Sequence, residues 1–359
     1  MPIVAALDAR LAASKNTGDT SYWRGLIQGL AQIESDFQFL LFSNTPRPTG
    51  IPEAPNLEWI EISASHPKIW SLSTFPKAAA SRGAKLIHTQ YNISPFSKLP
   101  AVTTIHDVSF FIGPEWFLKK DRLMLNHFIP KTCARAKAII TVSETSKTEI
   151  ERFIPAARGK VTAISNALGD NISVLTQEEA ENIVRGHLGI QGPYVLTVGT
   201  RWPRKNMMLA VEAMDLLPDR FPHRLILTGK PGWGEEKLGK RSRAVGYVSN
   251  AELSALYQCA DLYLAPSRHE GVGIPLLEAF ACGCPVLASN GGALPEVAGD
   301  AAVIEPSWEA AHWSETIASL LADHRRLSEL REKGRSRLDD FDWLDSARRT
   351  VEVYRSVLR

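Results

Sequence analysis

The chain has 359 residues, 44% apolar and 22% charged, a globular composition at a length beyond what one hydrophobic core usually serves, so two domains are expected. Its 41 Lys plus Arg against 39 Asp plus Glu leave a net charge of +2, which gives no reason to expect a nucleic-acid partner, since such binding rests on clustered cationic excess. No run approaches the roughly 20 apolar residues that span a bilayer, and Cys133, Cys259, Cys282 and Cys284 fit no common zinc spacing, so reduced, buried thiols and a cytoplasmic protein are expected.

MPIVAALDAR lacks a basic start and looks like a first strand rather than a signal peptide. Further short apolar or β-branched runs follow with helical stretches between them: FQFLLFS, LEWIEI, KLIHTQY, AVTTIHD, KAIITVS and VTAIS. This alternation predicts a parallel sheet covered by helices. After about Asn166 the chain turns irregular, then helical through TQEEAENIVRGHLGI, and a second series begins: YVLTVGT, RLILTG, RAVGYV, LYLAPS, PVLASN and AAVIEP. Two such series predict two doubly wound, Rossmann-like α/β domains with a linker near residues 166–190 and ligands in a cleft at the strand C-terminal ends. Ser249 with Glu252 forms a capping box that starts a helix over residues 250–259. In the closing segment FDWLDSARRTVEVYRSVLR, residues Trp343, Ala347, Val351, Tyr354 and Val357 share one side of a docking helix.

The segment SRHEGVGIPLLEAFACGCPVLAS, residues 267–289, carries the most chemistry. Gly271 and Gly273 let the backbone come close to a ligand, Pro275 suits a helix start, and the amides and dipole of that helix favour a diphosphate. Glu270 before the glycines and Glu278 after them bracket the site, and carboxylates align sugar hydroxyls by accepting their hydrogen bonds. Taken alone, the same pattern is an ordinary glycine-rich turn with two glutamates. In VLTVGTRWPRKN a strand ends at Gly199, and its loop presents Arg201, Arg204 and Lys205, cations suited to a leaving diphosphate or, in isolation, a solvated basic face. No Gly-x-Gly-x-x-Gly follows either opening strand, which disfavours a dinucleotide oxidoreductase. No Asp-x-Asp metal site presents itself; Asp339, Asp340 and Asp342 fall outside the predicted cleft.

EGVGIPLLE matches the E-x7-E motif of the retaining family 4 glycosyltransferases, and TRWPRKN resembles their phosphate loop. TTIHDVSFF, ITVSETSKTEI and FDWLDSARRTVEVY resemble further family segments, so the likeness runs along nearly the whole chain. It implies the GT-B fold: residues 1–168 binding the acceptor, residues 169–340 binding the nucleotide sugar, and a helix over 341–359 packing back toward the N-terminal domain. By position, Arg204 and Lys205 bind the donor diphosphate, with Arg201 as a helper beside Gly199. Glu278 binds the ribose, and the base lies near Gly246, Tyr247 and Val248. Glu270 meets the transferred sugar, with the amides of Gly271, Val272, Gly273 and Ile274 on its hydroxyls or phosphate, and His106 approaches it from the N-terminal domain. The first loop, KNTGDTSYW, departs from the glycine-rich form of relatives; it keeps only Gly18 for a phosphate role, and Asp19 is a candidate for facing the acceptor.

The resemblance further implies a same-face substitution with retained configuration and neither cofactor nor metal. It leans toward GDP-mannose as donor and toward a glycan or lipid-linked acceptor in surface polysaccharide synthesis. A UDP-sugar donor, a sugar-nucleotide epimerase and an inactive binding module are the alternatives. Trp70, Phe75, Trp116 and Phe117, with Lys68, Lys77, Lys119 and Lys120, read either as a peripheral membrane contact or as core and acceptor-loop aromatics with exposed lysines.

Overall fold

In the computed structural model, which describes residues 2–14, 18–232 and 238–359, each apolar run named above forms a strand. The chain divides into two compact units, Met1–Gly169 with Asp342–Arg359, and Asp170–Phe341. The first unit contains β1 (Ile3–Asp8), β2 (Phe37–Ser43), β3 (Leu57–Glu61), β4 (Leu86–Gln90), β5 (Ala101–Thr104), β6 (Ala138–Thr141) and β7 (Val161–Ala163), in the order β3-β2-β1-β4-β5-β6-β7. All pairings are parallel, with Ala5 level with Phe39 on one side and Leu86 on the other. Every residue of β4, β5 and β6 is buried, as strands covered by helices on both faces require.

The second unit repeats the plan with β8 (Tyr194–Val198), β9 (Arg224–Thr228), β10 (Ser242–Gly246), β11 (Leu262–Ala265), β12 (Val286–Ser289) and β13 (Ala302–Glu305), ordered β10-β9-β8-β11-β12-β13 and again parallel. The order reverses direction between β1 and β4 in one unit and between β8 and β11 in the other. At such a switch point the loops leaving two neighbouring strands diverge and open a crevice. Each unit thus places its ligand-binding possibilities at two loops: those after β1 and β4, and those after β8 and β11.

The closing helix, Trp343–Leu358, packs in the first unit against helix Gly18–Gln32. Its buried stripe is Trp343, Ala347, Val351 and Tyr354, with Val357 half-buried. The two helices meet closely because Gly25 and Gly29 have no side chain; a Cβ at Gly25 would overlap the Trp343 indole. The indole Nε1 donates to Leu168 O at 2.9 Å and Ser346 Oγ to Ser165 O at 2.7 Å. The membrane reading of two aromatics is overturned: Trp70 and Phe75 are stacked in the core at 5.1 Å and only 1% exposed. Phe117 also packs against that core, half-buried.

Gly25→Ala is expected to destabilise the first unit by about 1–3 kcal/mol, the usual cost of overpacking, read as a lower melting temperature. Gly186→Ala, where a Cβ meets nothing within 4 Å, serves as the control and should melt no lower than the parent. Equal melting temperatures for Gly25→Ala and the parent would show that the helix contact tolerates a methyl.

Candidate functional site

In the second unit, the loop after β8 turns sharply. Gly199 takes φ +134°, a short 3-10 turn covers Pro203–Lys205, and Asn206 sits in the left-handed region at φ +49° before helix Met207–Asp215. The loop after β11 runs alongside: Arg268 N donates to Arg204 O at 2.8 Å. Arg204 Nη1 donates to His269 O at 2.5 Å and to Glu270 Oε2 at 3.0 Å, while Lys205 Nζ donates to the other oxygen, Oε1, at 2.6 Å. The three side chains are nearly buried, at 16%, 15% and 10% exposure. Burial alone would raise the Glu270 pKa, but the Lys205 ammonium and Arg204 guanidinium outweigh it and hold the group at about 2. The carboxylate is ionised at neutral pH, and the trio carries a net +1. Arg201 turns elsewhere, its Nη1 donating to Gly229 O at 3.2 Å.

Gly271, Val272 and Gly273 are buried, and Gly273 caps the next helix, Ile274–Ala281, with φ +81°. Its own Cβ would press on Leu294, so the turn requires glycine on both conformational and steric grounds. Glu278 lies on the helix's inner side, 6% exposed. Asn171 Nδ2 donates to its Oε1 at 2.8 Å and the Tyr257 hydroxyl to its Oε2 at 3.1 Å. Burial raises the Glu278 pKa against the opposing pull of Asn171, Tyr257 and Lys205. Gly246 ends β10 at φ +77°, and its carbonyl accepts from Gly229 N at 2.8 Å and Thr228 Oγ1 at 2.9 Å. Tyr247 beyond it is 60% exposed with Lys230 Nζ 5.4 Å from its ring centroid, and Val248 is half-buried.

Four residues of this site escape the motif reading. Asn171 and Tyr257 orient the Glu278 carboxylate from outside the motif, and no local pattern marks either. Gly291 and Gly292 pack against the backbone of Ser267–Glu270, where a Cβ at either would strike main-chain atoms. The Gly-Gly pair one residue after a strand was the signal for those two.

The first unit holds the remaining candidates. Lys15, Asn16 and Thr17 of its first loop lie outside the described residues; Gly18 opens the helix that follows, where an added Cβ would meet none of the described residues within 4 Å, and Asp19 stands in that helix's first turn. His106 follows β5, and its Nε2, with no hydrogen-bond partner among the described residues, is 3.5 Å from Asp19 Oδ1. Burial pulls the imidazole pKa below its ordinary value against the opposing charges of Asp19 and Asp107. Tyr22 meets the ring edge-on at 5.0 Å. Asp107 orients the turn, its Oδ1 accepting from Ser109 N at 2.9 Å and Ser109 Oγ at 2.6 Å. Among the described residues no cluster of His, Cys, Asp or Glu is arranged to hold a metal ion; Asp342 instead caps the closing helix.

Comparison with known proteins follows this division. Residues 20–170 match the family described as Glycosyltransferase Family 4, and residues 181–337 match Glycosyl transferases group 1. O-antigen chain mannosyltransferase B of Escherichia coli is 33% identical over 267 residues, covering 71% of this chain and 70% of the relative. The chain is a group 1 glycosyltransferase. A second relative, the serotype-specific mannosyltransferase WbdA of Escherichia coli, is 30% identical over 241 residues, 63% of this chain but only 29% of that longer protein. Anabaena HepE, solved in complex with UDP and glucose, superposes with a TM-score of 0.72 at 18% identity over 99% of this chain and 100% of its own. This likeness shows that the glycosyltransferase has the GT-B fold.

The charge trio makes a pH prediction. Because the folded pKa of Glu270 lies near 2, below its ordinary 4.5, its contribution to stability is complete above pH 4.5 and is lost as pH falls toward 2. Glu270→Gln should therefore melt lower than the parent at neutral pH, with the gap closing across that acid window. A gap that stays constant from pH 7 to the acid limit would contradict the ion-pair account.

Proposed function

We propose that this glycosyltransferase moves mannose from GDP-mannose onto a glycan or lipid-linked saccharide of a surface polysaccharide, with retained configuration and no metal. The observation that carries the donor site is the Arg204–Glu270–Lys205 trio at the β8/β11 switch point, beside the helix N-terminus at Ile274. Its net positive charge and the helix amides favour the donor diphosphate, and Glu278, oriented by Asn171 and Tyr257, is assigned to accept from the ribose hydroxyls. The base is assigned to the Gly246–Val248 turn beside exposed Tyr247, and Glu270 with the amides that follow it to the sugar. Acceptor recognition is assigned to the first unit, with Asp19 as the residue facing the acceptor, and His106 is assigned to the transferred sugar.

In the reaction so assigned, the acceptor oxygen bonds to the anomeric carbon on the face from which the C1–O bond to phosphate breaks. The acceptor proton passes to a phosphate oxygen of the departing nucleoside diphosphate. Negative charge grows on that diphosphate, and Arg204 and Lys205 stabilise it most when the bond is breaking, the condition for lowering the barrier rather than merely binding. Mannose is supported by the likeness to the Escherichia coli O-antigen chain mannosyltransferase; a UDP-sugar is the second reading, supported by the UDP in the HepE complex.

Thermal shift against GDP, GDP-mannose, UDP and UDP-glucose should give a selective rise with the guanine pair, since a ligand of the native state stabilises it by mass action. A rise with the uridine pair alone would move the donor to a UDP-sugar. Lys205→Ala should lower kcat by about 10²–10³, the usual loss for one group that stabilises developing charge. Glu278→Ala should instead raise the donor KM by roughly tenfold or more, the value of hydrogen bonds to a charged acceptor. Near-parental kinetics in both variants would sink the assignment.

Tyr257→Phe should raise the donor KM several-fold with kcat little changed, as expected for a positioning residue acting through Glu278. An equal fall in kcat, or no effect, would remove Tyr257 from that role.

A further inference from the structure

In the first unit, the last residue of β4 and the residue after it carry costs that the fold does not recover. Gln90, which ends the strand, is 7% exposed, and both ends of its amide, Nε2 and Oε1, are buried with no hydrogen-bond partner among the described residues. A buried amide left unpaired forfeits the bonds it would make to water, so native proteins rarely keep one. Tyr91 holds φ at +61°, a conformation that residues other than glycine adopt only where the surroundings impose it. Here they do: Tyr91 N donates to Thr104 O at 3.1 Å, and the Tyr91 carbonyl accepts from Thr132 Oγ1 at 3.0 Å.

Side chains two apart on a strand share a face, so Gln90 lies on the side of His88, whose Nε2 is 2.8 Å from Thr104 Oγ1. Thr104 is level with Gln90 in the register of β4 and β5, and its hydroxyl also meets that of Tyr22, the ring that lies edge-on to His106. The Tyr91 ring reaches the same imidazole, with 5.8 Å between centroids. Gln90 and His106 therefore end neighbouring strands on one face of the sheet, at the β1/β4 switch point, where such sheets bind their ligands. Asp19 stands on the same face, 3.5 Å from His106.

We propose that Gln90 is a specificity-determining residue that recognises two neighbouring hydroxyls of a hexose, its carbonyl accepting from one and its amide NH2 donating to the other. A primary amide sets an acceptor and a donor side by side, and a hydroxyl can serve as either partner, so a vicinal diol satisfies both ends at once. No hydrogen bond of the described residues has to break for the sugar to enter, and the left-handed turn at Tyr91 fixes the end of the strand in place beforehand, the condition under which binding loses least to ordering. The hexose is either the transferred sugar or the sugar at the end of the acceptor; both present the same pair of hydroxyls. The inference rests on the reading that places sugar beside His106, and it is independent of the choice between guanine and uridine donors.

The test is calorimetric titration of the full chain with GDP, GDP-mannose, UDP, UDP-glucose and a methyl α-mannobioside as acceptor probe, followed by the monodeoxy forms of whichever hexose binds. In the parent, removing either of two adjacent hydroxyls should weaken binding about tenfold, because a buried amide end is again left unpaired. In Gln90→Met those two losses should disappear, while binding of the nucleotide without its sugar stays at the parental level. Losses seen with the nucleotide sugar assign Gln90 to the transferred hexose, and losses seen with the disaccharide assign it to the acceptor. Since the amide bonds to nothing among the described residues, Gln90→Met should also melt no lower than the parent, and Gln90→Leu gives the same comparison if the methionine packs poorly. Deoxy losses that persist in Gln90→Met, a parent to which the hexose adds nothing with any probe, or a lowered melting temperature in both variants would overturn the proposal. A uridine response in place of a guanine one would change the donor reading alone, because Gln90 is tested through the hexose.

Discussion

A carboxylate with 10% of its side chain exposed, 2.6 Å from an ammonium and 3.0 Å from a guanidinium, sets the character of the second unit's ligand end. Removing three charges from water is costly, and their mutual attraction offsets this only with close geometry and satisfied hydrogen bonds. Glu270 meets that condition by giving a separate oxygen to each cation, and Arg204 further donates to the His269 carbonyl. The carboxylate keeps Arg204 and Lys205 in place without cancelling them, because one positive charge remains. If the proposed donor site holds, a diphosphate would meet cations already oriented, with little reorganisation left for the moment when charge develops, which is the source of electrostatic catalysis.

That trio depends on topology as much as on charge. Arg204 and Glu270 are 66 positions apart, and only the order β9-β8-β11-β12 makes their loops neighbours. Once adjacent, the loops are fixed by backbone contact: Arg268 N to Arg204 O, and Ala293 N to Glu270 O at 2.9 Å. The second bond explains the glycines at 291 and 292, since the chain leaving β12 lies directly on the Glu270 backbone and a side chain there would force it away. A parallel doubly wound sheet thus turns distant segments into one site, at the crevice where its strand order reverses.

Much of this was legible in the sequence, for physical reasons that vary with the element. Strands buried on both faces, such as β4, β5 and β6, cannot avoid apolar runs, the mostly exposed or half-buried edge strands β3 and β10 showed shorter ones, and the Ser249–Glu252 capping box marked its helix to the residue. Glu270, Glu278, Arg204 and Lys205 stood out because their loops carry charged residues and glycines close together, and the structure brings Glu270, Arg204 and Lys205 into one ion-pair cluster. Asn171 and Tyr257 were not, because orientation of Glu278 requires only that two donors arrive in space from segments with no pattern of their own. The aromatic patches were left open for the opposite reason: composition identified Trp70 and Phe75 as large aromatics among lysines but could not tell which way a side chain faces, and the stacking of the two rings inside the core decides it.

The closing helix raises a different consequence. His88, buried on β4 with its pKa pushed down to about 3, is neutral; its Nδ1 is 2.6 Å from the Tyr354 hydroxyl and its Nε2 2.8 Å from Thr104 Oγ1, which in turn is 2.8 Å from the Tyr22 hydroxyl. A neutral imidazole has one donor and one acceptor, and hydroxyls can serve as either, so the chain of bonds is satisfied only when all its members are present. Tyr354 comes from the last helix, as does the Trp343 indole that fills the space over Gly25. Without residues 342–358, His88 Nδ1 would lose its Tyr354 partner and helix Gly18–Gln32 would expose its glycine face. The first unit therefore cannot reach its final packing until residues 342–358 are available, and the Tyr22 edge against His106 is among the features that wait for them.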